Sequence, residues 1–184
     1  MLLYAAIVIA LAAGLVNGNE HRNHTWRLML TLPITHRQLY LSKLMVIMAL
    51  VAGANIGLML LLLGVNSAFA LAGHPLDAAL AFPKAWTVAK IMIASLPVVL
   101  IQHTVSWRSQ NIVLPLAVGV CATMGIAAIG SSEYWSYFPW SYILMAANGS
   151  DEGMQMTALR LALLVGAPLL AASSFWLGRR ETAS

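Results

Sequence analysis

The sequence predicts an all-α, polytopic membrane protein of about five transmembrane helices, with an amphipathic helix on the cytoplasmic surface and an aromatic segment lying at, or re-entering, the outer interface. Three observations carry this. Hydrophobic residues make up 60% of the chain and charged residues 9%, against roughly 25% charged in a soluble domain, so a water-facing shell cannot be built. Long apolar runs alternate with polar connections. Basic residues gather on every second connection, as membrane orientation requires. The connections are too short to hold another folded unit, so residues 1–184 read as one transmembrane domain.

Leu2 to Val16 is continuously apolar, but at 1.5 Å per residue it covers only about 22 Å of a hydrocarbon core roughly 30 Å thick. No Lys or Arg precedes it and no Ala-x-Ala site follows, which argues against a signal peptide. It reads as the end of a helix that begins upstream. Asn19 to Lys43 is the densest patch of charge in the chain. Its first half can wind as a short amphipathic helix, with Trp26, Met29, Leu30 and Pro33 at i, i+3, i+4 and i+7. Pro33 closes that helix, and Thr35-His36-Arg37-Gln38 has the form of a capping box that starts the next.

Leu44 to Val65 is the clearest membrane span, with Asn55 as its one polar side chain. Gly53, Gly57 and Gly64 form a small-residue stripe suited to close helix packing, and Asn55 beside it suits interhelical hydrogen bonding or the lining of a substrate path. Asn66 to Lys84 is a connection punctuated by Gly73, Pro75 and Pro83, in which Pro75-Leu-Asp77 can open a short interfacial helix. The span from about Ala85 to Val105 carries Lys90 near one end, placed to snorkel, Gln102 and His103 near the other, and Pro97 between them as a kink site. His103 there suits a packed or interfacial residue better than a proton carrier.

Ser106 to Asn111 is a tight polar turn into Ile112 to Ile129, where Ala117, Cys121 and Gly125 at intervals of four read as a packing face. Gly130 to Met156 is the long polar connection. Tyr134, Trp135, Tyr137, Phe138, Trp140 and Tyr142 flank Pro139 and suit the headgroup level, while Glu133, Asp151 and Glu152 hold its ends in water. Leu161 to Gly178 is the last span, with Pro168 inside and Arg179-Arg180 as its stop. Alternating sides puts seven of the ten basic residues on one face, which should be cytoplasmic. Residues 19–43, 106–111 and 179–184 are then cytoplasmic in a cell (inner) membrane protein.

Catalytic and cofactor motifs are missing. There is no phosphate-binding Gly-x-x-x-x-Gly-Lys-Ser/Thr loop, no dinucleotide Gly-x-Gly-x-x-Gly and no His-Glu-x-x-His. His21, His24 and His36 share one loop, but the intervening proline turn leaves His36 unconstrained as a zinc ligand. No span carries a buried acidic residue or a Ser-Lys pair for an intramembrane hydrolase. The expected catalytic residues, metals and cofactors are none, and the scattered basic residues form no nucleic-acid stripe despite the net charge of +4.

Glu20, Thr25, Leu32-Pro33, Arg37 and Lys43, in that order before a membrane span, resemble the first cytoplasmic loop of permease subunits of the type-2 ABC exporter family. Gln102 to Asn111, then Leu114-Pro115, then Tyr137-Phe138-Pro139-Trp140-Ser141-Tyr142, resemble its branch of lantibiotic and bacitracin self-protection permeases. The resemblance implies a six-helix permease whose second helix is followed by a coupling helix docked on a separate ATP-binding subunit. On that pattern Glu20, Arg22, Thr25, Trp26, Arg27, Pro33 and Arg37 couple to the ATPase. Tyr137, Phe138, Pro139, Trp140 and Tyr142 form an outer gate, and a second permease copy or paralogue completes the transporter in the lipid bilayer. An N-terminal interfacial helix, the first membrane helix and the loop after it have no counterpart here. The expected function is an ATP-driven exporter subunit, not itself an enzyme. The alternative is a non-transporting membrane scaffold or sensor.

Overall fold

The computed structural model describes residues 2–22, 35–73, 85–109, 111–130, 132–148 and 151–181. They form six α-helices: α1 (Leu2–Arg22), α2 (His36–Leu71), α3 (Ala85–Arg108), α4 (Val113–Ile129), α5 (Ser141–Ala147) and α6 (Glu152–Glu181), with a 3-10 helix at Glu133–Tyr137. No strand occurs among the described residues. Three helices are long and apolar enough to cross a membrane, and the apolar stretches Tyr4–Gly18 and Val113–Ile126 are shorter. These coincide with the five expected spans.

The bundle is built around α3. More than half of its apolar window is buried, 56% against 17% for α2 and α6. It packs on α6 along one side and on α1 along another, with α5 inserted beside it and α4 packed on α1 and touching α3. Buried polar residues and exposed apolar ones invert the soluble pattern. Asn17, Gln102, His103 and Gln155 lie inside, whereas Met45, Leu60, Leu61 and Leu164 point outward. Only a solvent of hydrocarbon makes that arrangement favourable.

Helix ends follow local chemistry. Thr35 caps α2 as the sequence predicts: its hydroxyl accepts the Gln38 N–H at 3.2 Å, and the Gln38 side chain accepts the Thr35 N–H at 3.0 Å. Asn111 Oδ1 accepts the Val113 N–H to start α4, and Asp151 Oδ1 accepts the Met154 N–H to start α6. Gly73, at φ 77°, follows the end of α2 in the left-handed conformation that favours glycine.

Four helices overrun the expected boundaries, α3 by taking Ser106 to Arg108 out of the expected polar turn. The first continues past Val16 to Arg22 because Asn17 finds an acceptor in the Ala13 carbonyl one turn back. Its 21 residues span about 31 Å. The second continues through Asn66 to Leu71, with Ser67 Oγ donating to the Leu63 carbonyl, and its 36 residues reach about 54 Å, well beyond the hydrocarbon. The last begins at Glu152 instead of Leu161, so the expected long connection resolves into the 3-10 helix, α5 and the first turns of α6. The expected helices around Trp26 and Pro75 lie outside the described residues. Pro97 is fully buried, and α3 runs on through it.

Candidate functional site

Residues 102–107 of α3 fasten four helices at the end of the bundle where α1 finishes and α2 begins. His103 is fully buried and sits between α1 and α2. Its Nε2 lies 3.1 Å from the Tyr40 carbonyl, which only accepts, so Nε2 carries the proton. Nδ1 then accepts from Asn17 Nδ2 at 3.0 Å. One tautomer of the neutral ring therefore ties the last turns of α1 to the first turns of α2. The Tyr40 ring lies tilted against the imidazole, centroids 4.2 Å apart. Its hydroxyl donates to Thr104 Oγ1 at 3.1 Å, because the Thr104 hydrogen is already given to the Leu100 carbonyl.

Neighbouring side chains extend the hub. Ser106 Oγ donates to the Ala13 carbonyl, which also accepts from Asn17. Gln102 bridges α4, its amide nitrogen donating to the Pro115 carbonyl and its oxygen accepting the Gly119 N–H, each at 3.0 Å. Gly119 is what allows this approach: a Cβ there would sit 2.8 Å from the Ala10 methyl and 3.0 Å from the Gln102 amide. Lys43 is buried with its ammonium 5.1 Å from the Trp107 ring, and Arg108 stacks on Trp176 of α6 at 4.4 Å. Every membrane-length helix thus meets α3 at this end.

A second polar relay closes the opposite end. Lys90, buried, donates to Gln155 Oε1, and Gln155 Nε2 donates to the Asn148 carbonyl. This joins the start of α3, the end of α5 and the first turn of α6. The aromatic segment lies just before it. Trp140 and Tyr142 are buried, Phe138 stacks on Trp140 at 5.4 Å, and Tyr134 and Tyr137 are exposed.

A family model described as ABC-2 family transporter protein matches residues 1–126, from α1 through most of α4. The chain belongs to that family. Neither the comparison with curated proteins nor that with solved structures returned a match. It is therefore a membrane permease of an ABC transporter, a transport subunit of a kind that works with an ATPase partner.

The ABC-2 permease places its sequence-predicted residues unevenly. Glu20 and Arg22 lie in the last turn of α1, and Arg37 is exposed in the first turn of α2. Thr25, Trp26, Arg27 and Pro33 lie outside the described residues, which stop at 22 and resume at 35. A Cβ at Gly53 or Gly57 would meet nothing within 4 Å, and Cys121 is exposed, so these point away from the bundle. Gly125 faces Phe138. Asn55 donates to the Val51 carbonyl and toward Met92 Sδ, and lines a cavity of only about 10 Å³. Sequence reasoning did not single out Asn17, Tyr40 or Ser106. The signal available was the polar cluster Gln102, His103 and Ser106 on α3, which needs partners once it enters hydrocarbon.

Proposed function

We propose that this permease is half of an ATP-driven exporter that moves a hydrophobic or amphipathic substrate, an antimicrobial peptide among the candidates, out of the membrane or cytoplasm. Residues 19–43 receive the push of a separate ATP-binding subunit, and a second permease copy or paralogue completes the pathway. The observation that supports this reading is the His103 clamp: Asn17 lies just before the coupling segment and Tyr40 within its last turn, and both bind one ring on α3. A displacement of the segment therefore moves α3 with it.

In this reading ATP binding draws two ATPase subunits together, and α3 transmits the motion as a rod of 24 residues, about 36 Å long. Its far end carries the Lys90–Gln155–Asn148 relay beside the aromatic segment, which opens as the outer gate. Glu20, Arg22 and Arg27 make the polar contacts to the ATPase. Glu20→Arg and Arg27→Glu test the proposal. Each is expected to abolish co-purification of the ATP-binding subunit and ATP-dependent transport of membrane-active peptides. Intact binding and transport in both variants would leave residues 19–43 a lipid-facing loop and overturn the coupling role.

A further inference from the structure

Outside the hub, α2, α3 and α6 leave a groove of about 220 Å³ between them. Leu44 and Met48 form one wall, Leu96 and Leu100 the floor, and Ala167 and Leu170 the other wall, with every lining residue apolar. Small residues make the space: Ala162, Gly166 and Ala167 recur on one side of α6, and a Cβ at Gly166 would come into ordinary contact with Leu96, Pro97 and Leu100. Leu163, Ala167 and Leu170 are exposed on its open side, which faces the bilayer.

Beyond the hub end of the groove the chemistry changes. Lys43 precedes Leu44 directly and lies over Trp107, and Arg108 lies over Trp176. These four residues belong to the same three helices that line the groove. Arg108 is about two turns beyond Leu100 along α3, and Trp176 nearly two turns beyond Leu170 along α6. The groove is therefore apolar over its length, with the two cations and their aromatic rings on the same helices beyond one end. That is the polarity of a single lipid, with its charged head at the interface and its tail in the hydrocarbon. A packed helix from another chain would need apolar contact along its whole length, including across the cations.

We propose that this groove binds an anionic phospholipid from the leaflet on the Lys43–Arg108 side, its phosphate between the two cations and one acyl chain along Leu44, Leu100 and Leu170. Bound lipid would fasten α2 to α6 across α3. The site holds whichever substrate the permease carries, so it stands apart from the export proposal.

Native mass spectrometry of the purified full chain tests this, titrating phosphatidylglycerol against phosphatidylcholine with identical acyl chains. The wild type is expected to retain phosphatidylglycerol preferentially. Arg108→Gln, at an exposed position, should weaken phosphatidylglycerol about five-fold and leave phosphatidylcholine unchanged. Ala167→Phe, also exposed, should reduce both by filling the groove. Equal retention of the two lipids by the wild type would overturn the proposal. So would a preference that survives Arg108→Gln, or lipid binding untouched by Ala167→Phe. A lipid-free dimer that Ala167→Phe dissociates would give the groove to a second copy instead.

Discussion

At the scale of single residues, His103 concentrates the most interaction in the least space. Its ring accepts from Asn17, donates to Tyr40 and packs tilted against the Tyr40 ring, fully buried. Replacing it with Phe keeps the ring contact with Tyr40 and removes the bonds to Asn17 and to the Tyr40 carbonyl, a cost of about 1–3 kcal/mol for a buried unsatisfied group. The thermal midpoint of the detergent-solubilised protein is expected to fall accordingly, and His103→Gln, which restores one amide donor or acceptor, should lose less. That His103 is a packed residue is legible in the sequence, since a lone histidine beside a glutamine inside a span needs neighbours. Which neighbours was not legible. Asn17 is 86 positions away and Tyr40 is 63, and nothing local relates such distances.

At the scale of elements, caps and contacts decide where helices stop and how near they come. The Thr35 capping box was readable because it is wholly local, and Thr35→Ala is expected to cost about 1 kcal/mol. Faster amide exchange over residues 36–39, with the rest of α2 unchanged, is the measurement that checks it. Helix overruns were hidden for the opposite reason. Asn17 and Ser67 look like breaks in a list of residues, yet each bonds a carbonyl four positions back and lets its helix continue. The α1–α4 contact was also hidden, because the buried face of α4 carries Pro115, Gly119 and Thr123, while Ala117 and Cys121 of the four-residue stripe are exposed. Gly119→Val should clash with Ala10 and destabilise by about 1–3 kcal/mol. Ala10→Gly in the same chain should recover part of that loss, and no recovery in a thermal melt would mean the two helices do not meet there.

At the scale of the whole molecule, α3 is held at both polar ends, by the His103 clamp at one and by Lys90 and Gln155 at the other. A bundle held this way moves as a connected body when a partner pushes on it, and its coupling can be cut without unfolding it. Asn17→Ala is the cleanest cut, because it frees α1 from the His103 ring while Tyr40 still holds α2. In inverted membrane vesicles carrying the assembled transporter and a fluorescent amphipathic peptide, ATP hydrolysis should persist. Peptide moved per ATP should fall about ten-fold, the scale of a typical coupling free energy. If hydrolysis and transport instead fell together, in step with the amount of folded permease, Asn17 would be serving stability alone. The ratio separates the two roles because stability scales both activities equally, whereas a broken link between segment and rod lowers only the one that requires the rod to move.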